Sequence, residues 1–464
     1  MLLLDLQQEL LRISIKRLAI AVLYGIRLKL KTTNYKRKSC MKSKDGLGKN
    51  IAIMGLGTVL AQGVNVLIQP VLSRIFSASD LGVYTFLISI ANILIPVASL
   101  KLDLLIVSEE DDRKAQYMTD VCVILNFAIA FACAVVLFLC NLFVPGCVLF
   151  QYGALIYFVP ILVLTNGLRF LFISYNNRYK EYGLISKLGI IRETGRALIQ
   201  TFSGFLSFGA PGLLAGYAIA PILGYRLQMR RYFHEWKNRP RISLSQIKEC
   251  LLVKGKKQIL YIMPAQLING FSSSLVTMMI ASLFSASALG YYSMGVRVLE
   301  VPIIFISANV SKVCYQRICE SISKSRLISK TVIKLAVLLA IASFLTFGLI
   351  HVVAVPLCEF VFGDGYSVAG SYIQCLCLMY ATRLVSSSFA GAFTAFGKQK
   401  FELLLNIALV IVAFIAYGLS IYGSLTMEAF LTVIGLGYSL VYACMLIGTI
   451  ICCLKFDARL RVKA

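Results

Sequence analysis

Charged residues are scarce in this sequence, at 14% of 464 residues, whereas an ordinary soluble domain has about a quarter. Histidine occurs only twice, as His234 and His351, and none of the fourteen cysteines belongs to a CxxC pair. A zinc or haem site therefore has few ligands to draw on, and we expect neither a metal nor a cofactor. Most of the cysteines lie inside apolar runs, where they are typical of small core side chains.

Long apolar runs fill most of the chain. Hydrophobic residues amount to 59%, and the mean hydropathy is +0.81. Runs of about 20 apolar residues are long enough to cross a bilayer as helices. The sequence therefore predicts an all-α membrane protein with about twelve spans, near residues 51–73, 82–107, 118–141, 149–172, 186–207, 211–229, 258–282, 289–311, 331–353, 365–386, 401–422 and 428–453.

Lysine and arginine are distributed unevenly between the connections. Residues 1–50 contain twelve of them and residues 226–257 contain ten, whereas connections such as 141–151 and 284–288 contain none. Because basic residues are enriched in cytoplasmic loops, we expect both termini on the cytoplasmic side. The same rule accounts for the net charge of +25 without nucleic-acid binding.

Three basic segments frame two halves of six spans each, predicted at residues 50–230 and 258–454. Residues 231–257 read as a cytoplasmic linker and residues 455–464 as a cytoplasmic tail. Residues 1–49 mix Leu and Ile with Lys and Arg, which is typical of an amphipathic helix lying on the membrane surface. An over-extended start, with translation beginning at Met41, explains the same segment equally well.

An internal repeat supports this division. FSASDLGVY at residues 76–84 returns as FSASALGYY at residues 284–292, with seven of nine residues identical. Each copy joins the first two spans of a half, and a proline follows in each, Pro96 and Pro302. Six spans separate the copies, so the halves are parallel and related by an axis along the membrane normal, with a central cavity between them. Helix capping by Ser-Ala-Ser is the simpler alternative.

Signatures of enzymes are missing or incomplete. The stretch Gly391 to Lys398 has five residues between its glycines, and Gln399 follows where a phosphate-binding loop needs Ser or Thr. The longest connection predicted outside offers two carboxylates for acid and base work, Glu359 and Asp364. This connection has no Lys or Arg, as expected for a segment outside the cytoplasm, and its carboxylates therefore need no catalytic role. We expect no enzymatic activity.

Charged residues inside spans usually face a cavity or a partner. Arg192, Glu193 and Arg196 occupy the fifth span, and Arg297 and Glu300 share a face of the eighth. Further charges of the spans and their ends are Lys101, Asp103, Arg169 and Arg74. A cavity with more cations than anions favours a pyrophosphate group, because Arg donates paired hydrogen bonds. Alternatively, residues near the interface reach the head groups, and Arg297 and Glu300 neutralise each other.

The first span offers amides and no carboxylate. Gln62, Asn65 and Gln69 are its polar residues. They either hold helices together or form hydrogen bonds with sugar hydroxyls. A missing carboxylate counts against the export of cationic drugs coupled to protons or sodium.

The sequence resembles the polysaccharide biosynthesis proteins, the Wzx-type flippases, over residues 45–455. The superfamily also holds multidrug exporters and lipid II flippases. The similarity is carried by LSRIFSASDLGVY at residues 72–84, by LKLDLLI at 100–106 followed by SEEDDRK at 108–114, and by FGKQK at 396–400. The first 40 residues depart from the family, and some relatives have fourteen spans.

The resemblance implies a flippase in the bacterial cytoplasmic (inner) membrane. Its substrate would be an undecaprenyl-diphosphate-linked oligosaccharide, moved by alternating access for surface polysaccharide or O-antigen synthesis. Arg297, and after it Arg74, Arg192 and Arg196, would hold the pyrophosphate. Partners would be the lipid-linked substrate, membrane lipid and a polysaccharide polymerase. Two alternatives stay open, a cation-coupled drug antiporter that uses Glu300 or Asp103, and an integral-membrane polymerase or ligase for the same glycan.

Overall fold

The computed structural model describes residues 46–109, 111–144, 146, 148–236, 249–256 and 258–463. These residues form helices and turns and contain no strand. The amphipathic segment predicted for residues 1–49 lies outside the described residues except for 46–49. Most of the predicted linker, residues 237–248, lies outside them as well.

The N-terminal half, as far as it is described, begins with a long helix and continues through spans joined by short turns. Its helices are α1 (Gly46–Leu67), α2 (Gln69–Ile75), α3 (Ala78–Leu94), α4 (Asp103–Ser108), α5 (Asp112–Phe143), α6 (Phe158–Arg178), α7 (Tyr182–Phe205), α8 (Gly209–Ile219), α9 (Tyr225–Gln228) and α10 (Arg230–Trp236).

The C-terminal half has eight helices among its described residues. Its helices are α11 (Met263–Leu283), α12 (Ala286–Pro302), α13 (Ala308–Ser323), α14 (Ser329–Phe362), α15 (Ser367–Ser387), α16 (Ala392–Ala395), α17 (Gln399–Gly423) and α18 (Met427–Lys463). The predicted basic tail therefore continues α18 as helix to Lys463.

Ten stretches of the described residues are long and apolar enough to cross a membrane. Helices α7 and α8 occupy the positions of the predicted fifth and sixth spans. Helix α7 has 24 residues and carries four charged side chains, and α8 has only 11 residues before the helix is interrupted. The all-helical membrane fold is confirmed, and the bounds of the two halves and the orientation of the termini stay predictions.

The two copies of the sequence repeat begin equivalent helices. Helices α3 and α12 both have 17 residues and begin after a serine, Ser77 or Ser285. Each serine hydroxyl accepts a hydrogen bond from the backbone N–H three residues later, at 3.1 Å. Each helix loses its regular pattern at its proline, since Pro96 lies in a 3₁₀ turn and Pro302 precedes a π turn. The predicted caps are therefore present in both halves.

Helices α3 and α12 also pack directly against each other at the predicted outer end. A Cβ atom placed on Gly82 would lie 1.8 Å from the carbonyl oxygen of Ala286, and one on Gly290 would lie 1.8 Å from that of Ala78. Only glycine allows such a backbone contact. Contact between the copies therefore explains why both have glycine at this position, whereas helix capping does not.

Opposite the glycine contact, a second set of interactions joins the end of the predicted linker to the N-terminal half. A Cβ atom placed on Gly255 would lie 2.5 Å from the side chain of Leu102, at the end of the second predicted span. Lys254 donates a hydrogen bond to Glu109 at 3.1 Å. The part of the linker that precedes the C-terminal half is therefore held against the N-terminal half.

Candidate functional site

A polar cavity of about 390 Å³ lies between the halves. Its size falls within the usual range for small-ligand sites. Side chains of seven helices line it, namely Asn65, Gln69, Tyr84, Thr85, Ile88, Ser89, Asn92, Arg196, Gln200, Tyr217, Ser273, Ser274, Thr277, Arg297 and Glu300. Both halves therefore contribute to one site.

The kink in the first span positions two amides toward this cavity. Pro70 lies in the first turn of α2, where its missing N–H and its ring interrupt the helix after Leu67. Gln69 donates a side-chain hydrogen bond to the backbone oxygen of Asn65 at 2.7 Å and another to its side-chain oxygen at 3.1 Å. The two amides are consequently held together as a pair across the kink.

This amide pair connects an arginine of each half. Arg196, on α7, donates to the side-chain oxygen of Asn65 at 2.7 Å. Arg297, on α12, donates to the side-chain oxygen of Gln69. Hydrogen bonds to a charged donor are about twice as strong as neutral ones, so the amides fix both guanidinium groups without neutralising them. The cavity therefore presents two oriented cations.

Further contacts position Arg196. It forms an ion pair with Glu193, three residues earlier on α7, and its guanidinium lies 5.7 Å from the ring centroid of Tyr217. Tyr217 packs edge-on against Tyr84, whose hydroxyl accepts a hydrogen bond from Gln200 at 3.2 Å. The first half thus supplies a rigid wall of amide and phenol groups around one cation.

Arg297 and Glu300 lie one turn apart and both line the cavity. Within the described residues, no carboxylate lies within ion-pairing distance of Arg297, and Glu300 has no ion pair. Arg297 and Glu300 therefore do not neutralise each other through a direct ion pair. Both side chains are available to a ligand.

The structure brings Arg196, Arg297 and Glu300 together at the cavity, with Glu193 behind Arg196. It places Arg192 elsewhere, 4% exposed, with its guanidinium donating to Gln228 on α9. Arg192 and Arg196 share a face of α7, but the one-turn offset places Arg192 against α9 instead of against the first span.

The remaining predicted site residues lie at the ends of the spans. Arg74 is exposed and donates to the backbone oxygen of Phe360 at 3.0 Å, next to the bond from Ser73 to Phe362 at 2.9 Å. Lys101 and Asp103 follow α3, where Lys101 adopts a positive φ of 60° and Asp103 accepts from Ser174 at 3.3 Å. None of these three residues lines the cavity.

Sequence reasoning did not single out Gln200 or Tyr217, and it did not assign Tyr84 to the site. Gln200 lies one turn after Arg196 on α7, so the i, i+4 spacing already places the two on one face. Tyr217 comes from a short helix of low polarity and carries no comparable signal. Within the described residues, no group of three His, Cys, Asp or Glu side chains could hold a metal ion.

Comparison with protein families gives one match that spans much of the chain. A family described as "polysaccharide biosynthesis protein" matches residues 71–370. An uncharacterized membrane protein in the cps region of Klebsiella pneumoniae is 22% identical over 273 residues, which are 54% of this chain and 52% of that protein. The match thus spans about half the length of this curated relative.

Solved structures share the fold at low identity. The lipid II flippase MurJ in an inward closed conformation has a TM-score of 0.68 and 11% identity, with 89% of this chain and 91% of that chain covered. A multidrug resistance MATE family transporter of the MOP superfamily matches in its outward-facing conformation, with a TM-score of 0.60 and 12% identity, covering 91% of this chain and 100% of that chain. These matches define the architecture and leave the substrate open.

Proposed function

Because the chain belongs to the polysaccharide biosynthesis protein family, we propose that it is a flippase for lipid-linked oligosaccharides. It is a multi-pass inner membrane protein with the fold of the MOP superfamily. The proposed substrate is an oligosaccharide on undecaprenyl diphosphate, moved from the cytoplasmic to the outer face of the membrane. The movement breaks no covalent bond.

The observation that carries this proposal is the pair of arginines from opposite halves, Arg196 and Arg297, connected by the amides of Asn65 and Gln69. A diphosphate carries several oxygens over a few ångströms, and a guanidinium group matches two of them at once. Two guanidinium groups at one site favour such an anion more strongly than either alone.

The location of the pair suggests how binding couples to movement. Each half carries one arginine, so a bound diphosphate attracts both halves to the same site. Alternating access requires the halves to rock around that site. A substrate held by both halves can be exposed first on one side and then on the other while its head group stays bound.

We assign diphosphate binding to Arg297 and Arg196. Direct binding by Arg192 and Arg74, which the resemblance implied, stays a prediction, and so does coupling through Asp103 and Lys101. The contacts of Arg192 with Gln228 and of Arg74 with Phe360 give each a local structural role that needs no substrate.

The leaflet position of lipid-diphosphate sugars tests the proposal. Intact spheroplasts with and without the protein are treated with a membrane-impermeant glycosidase. We expect intermediates to accumulate in a protected, inner pool when the protein is missing. Intermediates that reach the outer face but stay unpolymerised would indicate the polymerase or ligase instead, and would contradict a flippase.

A drug antiporter of the same superfamily is the second candidate, favoured by the position of Glu300 in the cavity. A membrane carboxylate can bind a proton or a cation during transport. This candidate predicts that cells lacking the protein make normal glycan and become sensitive to toxic organic cations. Glu300→Gln would produce the same sensitivity.

A further inference from the structure

A second group of polar side chains lies in the C-terminal half, beside the cavity. We call it the tyrosine cluster. It consists of Arg383 with four tyrosines and Glu300. The tyrosines are Tyr292 on α12, Tyr380 on α15, and Tyr438 and Tyr442 on α18. Sequence reasoning did not single out Arg383 or these tyrosines.

These side chains surround the guanidinium group of Arg383. Its central carbon lies 5.3 Å from the ring centroid of Tyr380. Tyr442, Glu300 and Tyr292 are also within electrostatic range of the same group. Tyr438 and Tyr442 are one turn apart on α18, and their rings meet edge-on at 6.4 Å between centroids. Three helices, including that of Arg383 itself, therefore contribute side chains around one partly buried cation.

The polar atoms of this cluster are not used by the protein itself. Among the described residues, the side chains of Arg383 and Glu300 and the hydroxyls of Tyr292, Tyr438 and Tyr442 form no hydrogen bond or ion pair. Their polar atoms are also not sealed from water. Unpaired donors and acceptors that water can reach are available to form hydrogen bonds with a ligand that replaces this water.

The chemistry of the set fits a sugar. Tyrosine hydroxyls both donate and accept hydrogen bonds, the guanidinium group donates, and the carboxylate accepts, which together match the hydroxyls of a sugar ring. The aromatic faces offer flat apolar surfaces for the C–H side of that ring. The cluster offers one guanidinium group where the cavity offers two, so the cavity is the better match for a diphosphate.

Glu300 joins the cluster to the cavity, since it lines the cavity and also lies within electrostatic range of Arg383. In a lipid-linked oligosaccharide the first sugar is bonded directly to the diphosphate. We propose that the tyrosine cluster binds a sugar residue of the substrate while Arg196 and Arg297 hold its diphosphate. This inference rests on the proposed function, because it divides that substrate between two neighbouring sites.

The test uses two probes that separate the two parts of the substrate. One is inorganic pyrophosphate. The other is the phosphate-free oligosaccharide, radiolabelled in growing cells and released from their lipid-linked pool by mild acid. Equilibrium dialysis of the purified full-length protein in detergent measures the binding of each probe.

Two variants alter the cluster and one serves as the control. Arg383→Gln removes the charge but keeps hydrogen-bond donors, and Tyr442→Phe removes one hydroxyl and keeps the ring. Tyr422→Phe makes the same small change at a side chain that is 93% exposed, away from the cluster.

We expect Arg383→Gln to weaken oligosaccharide binding about tenfold, and Tyr442→Phe to weaken it about threefold, as the loss of one or two net hydrogen bonds implies. Pyrophosphate binding should stay within about twofold in both variants, which also shows that they are folded. Arg297→Ala should give the reverse pattern, and Tyr422→Phe should change neither probe.

Unchanged oligosaccharide binding in both cluster variants would overturn the inference. An equal loss of binding of both probes would overturn it too, because Arg383 would then act on the whole site through its charge and not through contact with the sugar. If the unaltered protein binds neither probe, the proposed function itself fails. If the unaltered protein binds both probes but the variants affect both equally, only the role of the tyrosine cluster fails.

Discussion

Gly82 and Gly290 make reciprocal contacts, each facing the backbone carbonyl at the start of the helix that carries the other. Gly82 meets Ala286, and Gly290 meets Ala78, with the same 1.8 Å separation from a Cβ atom placed on either glycine. Equivalent residues of a duplicated sequence thus contact each other across the boundary between the halves. Any rocking of one half against the other must open or shear this contact.

Substitution of either glycine is expected to force the halves apart at this contact. Gly82→Ala and Gly290→Ala should each lower the stability by about 1–3 kcal/mol, because a backbone carbonyl cannot move aside as a flexible side chain can. Thermal unfolding of the purified protein measures the effect. Gly348→Ala, at a helical site with nothing within 4 Å, is the control and should preserve the Tm. Equal Tm values for all three variants would contradict this prediction, because the helices could then move apart without a loss of stability.

Asp80 connects two helix starts in the N-terminal half. Its carboxylate accepts from the backbone of Ser77 at 3.3 Å and from the backbone of Ala210, at the start of α8, at 2.9 Å. Asp80→Ala should therefore cost about 1–2 kcal/mol through lost capping. Asp364→Ala, at an exposed position, provides the comparison in the same unfolding assay. A Tm as low for the Asp364 variant would contradict the capping role.

Arg297→Ala is expected to reduce transport at least tenfold. It removes one of the two cations of the cavity, and hydrogen bonds to a charged group contribute about 1.5–3 kcal/mol. Lys330→Ala removes an exposed cation far from the cavity and should leave transport unchanged. The comparison uses protected lipid-linked sugar at matched protein levels, and equal losses in the two variants would remove Arg297 from the binding site.

Gln69→Glu changes the charge of the site. The carboxylate can still accept the hydrogen bond from Arg297, but it loses the two hydrogen bonds that Gln69 donates to Asn65 and adds a negative charge next to both arginines. We expect weaker binding of inorganic pyrophosphate, by about tenfold. Gln62→Glu adds the same charge to the same span outside the cavity lining and should bind normally. Tighter binding by the Gln69 variant would show that the anion does not approach the arginine pair.

The helical architecture was largely predictable from the sequence. Apolar runs gave the positions of the spans, and the repeated FSAS and LG residues pointed to two equivalent halves. Helices α7 and α8 also lie at predicted spans, but they are not among the ten stretches that are long and apolar enough to cross a membrane. Four charged side chains of α7 depress its hydropathy, and Pro221 ends the regular helix that begins at Gly209.

The site was predictable only in part, for a geometric reason. Helical spacing shows which residues share a face, and it correctly grouped Arg297 with Glu300. It does not show which neighbouring helix covers that face. Arg192 donates a hydrogen bond to Gln228 of α9, and Arg196 donates one to Asn65 of α1, although one turn separates the two arginines. Arg383 was missed because, apart from Tyr380 on its own helix, its neighbours come from α12 and α18, which are distant in sequence.

Transport by the purified protein in lipid vesicles tests the central proposal most directly. Vesicles that contain an undecaprenyl-diphosphate-linked oligosaccharide are prepared with the unaltered protein, with an Arg196→Ala/Arg297→Ala variant, or without protein. An impermeant glycosidase then measures how fast the inner pool becomes accessible. We predict rapid access with the unaltered protein, and slow access with the double variant, as in protein-free vesicles. Equal access in all three preparations would contradict a flippase that works through the arginine pair.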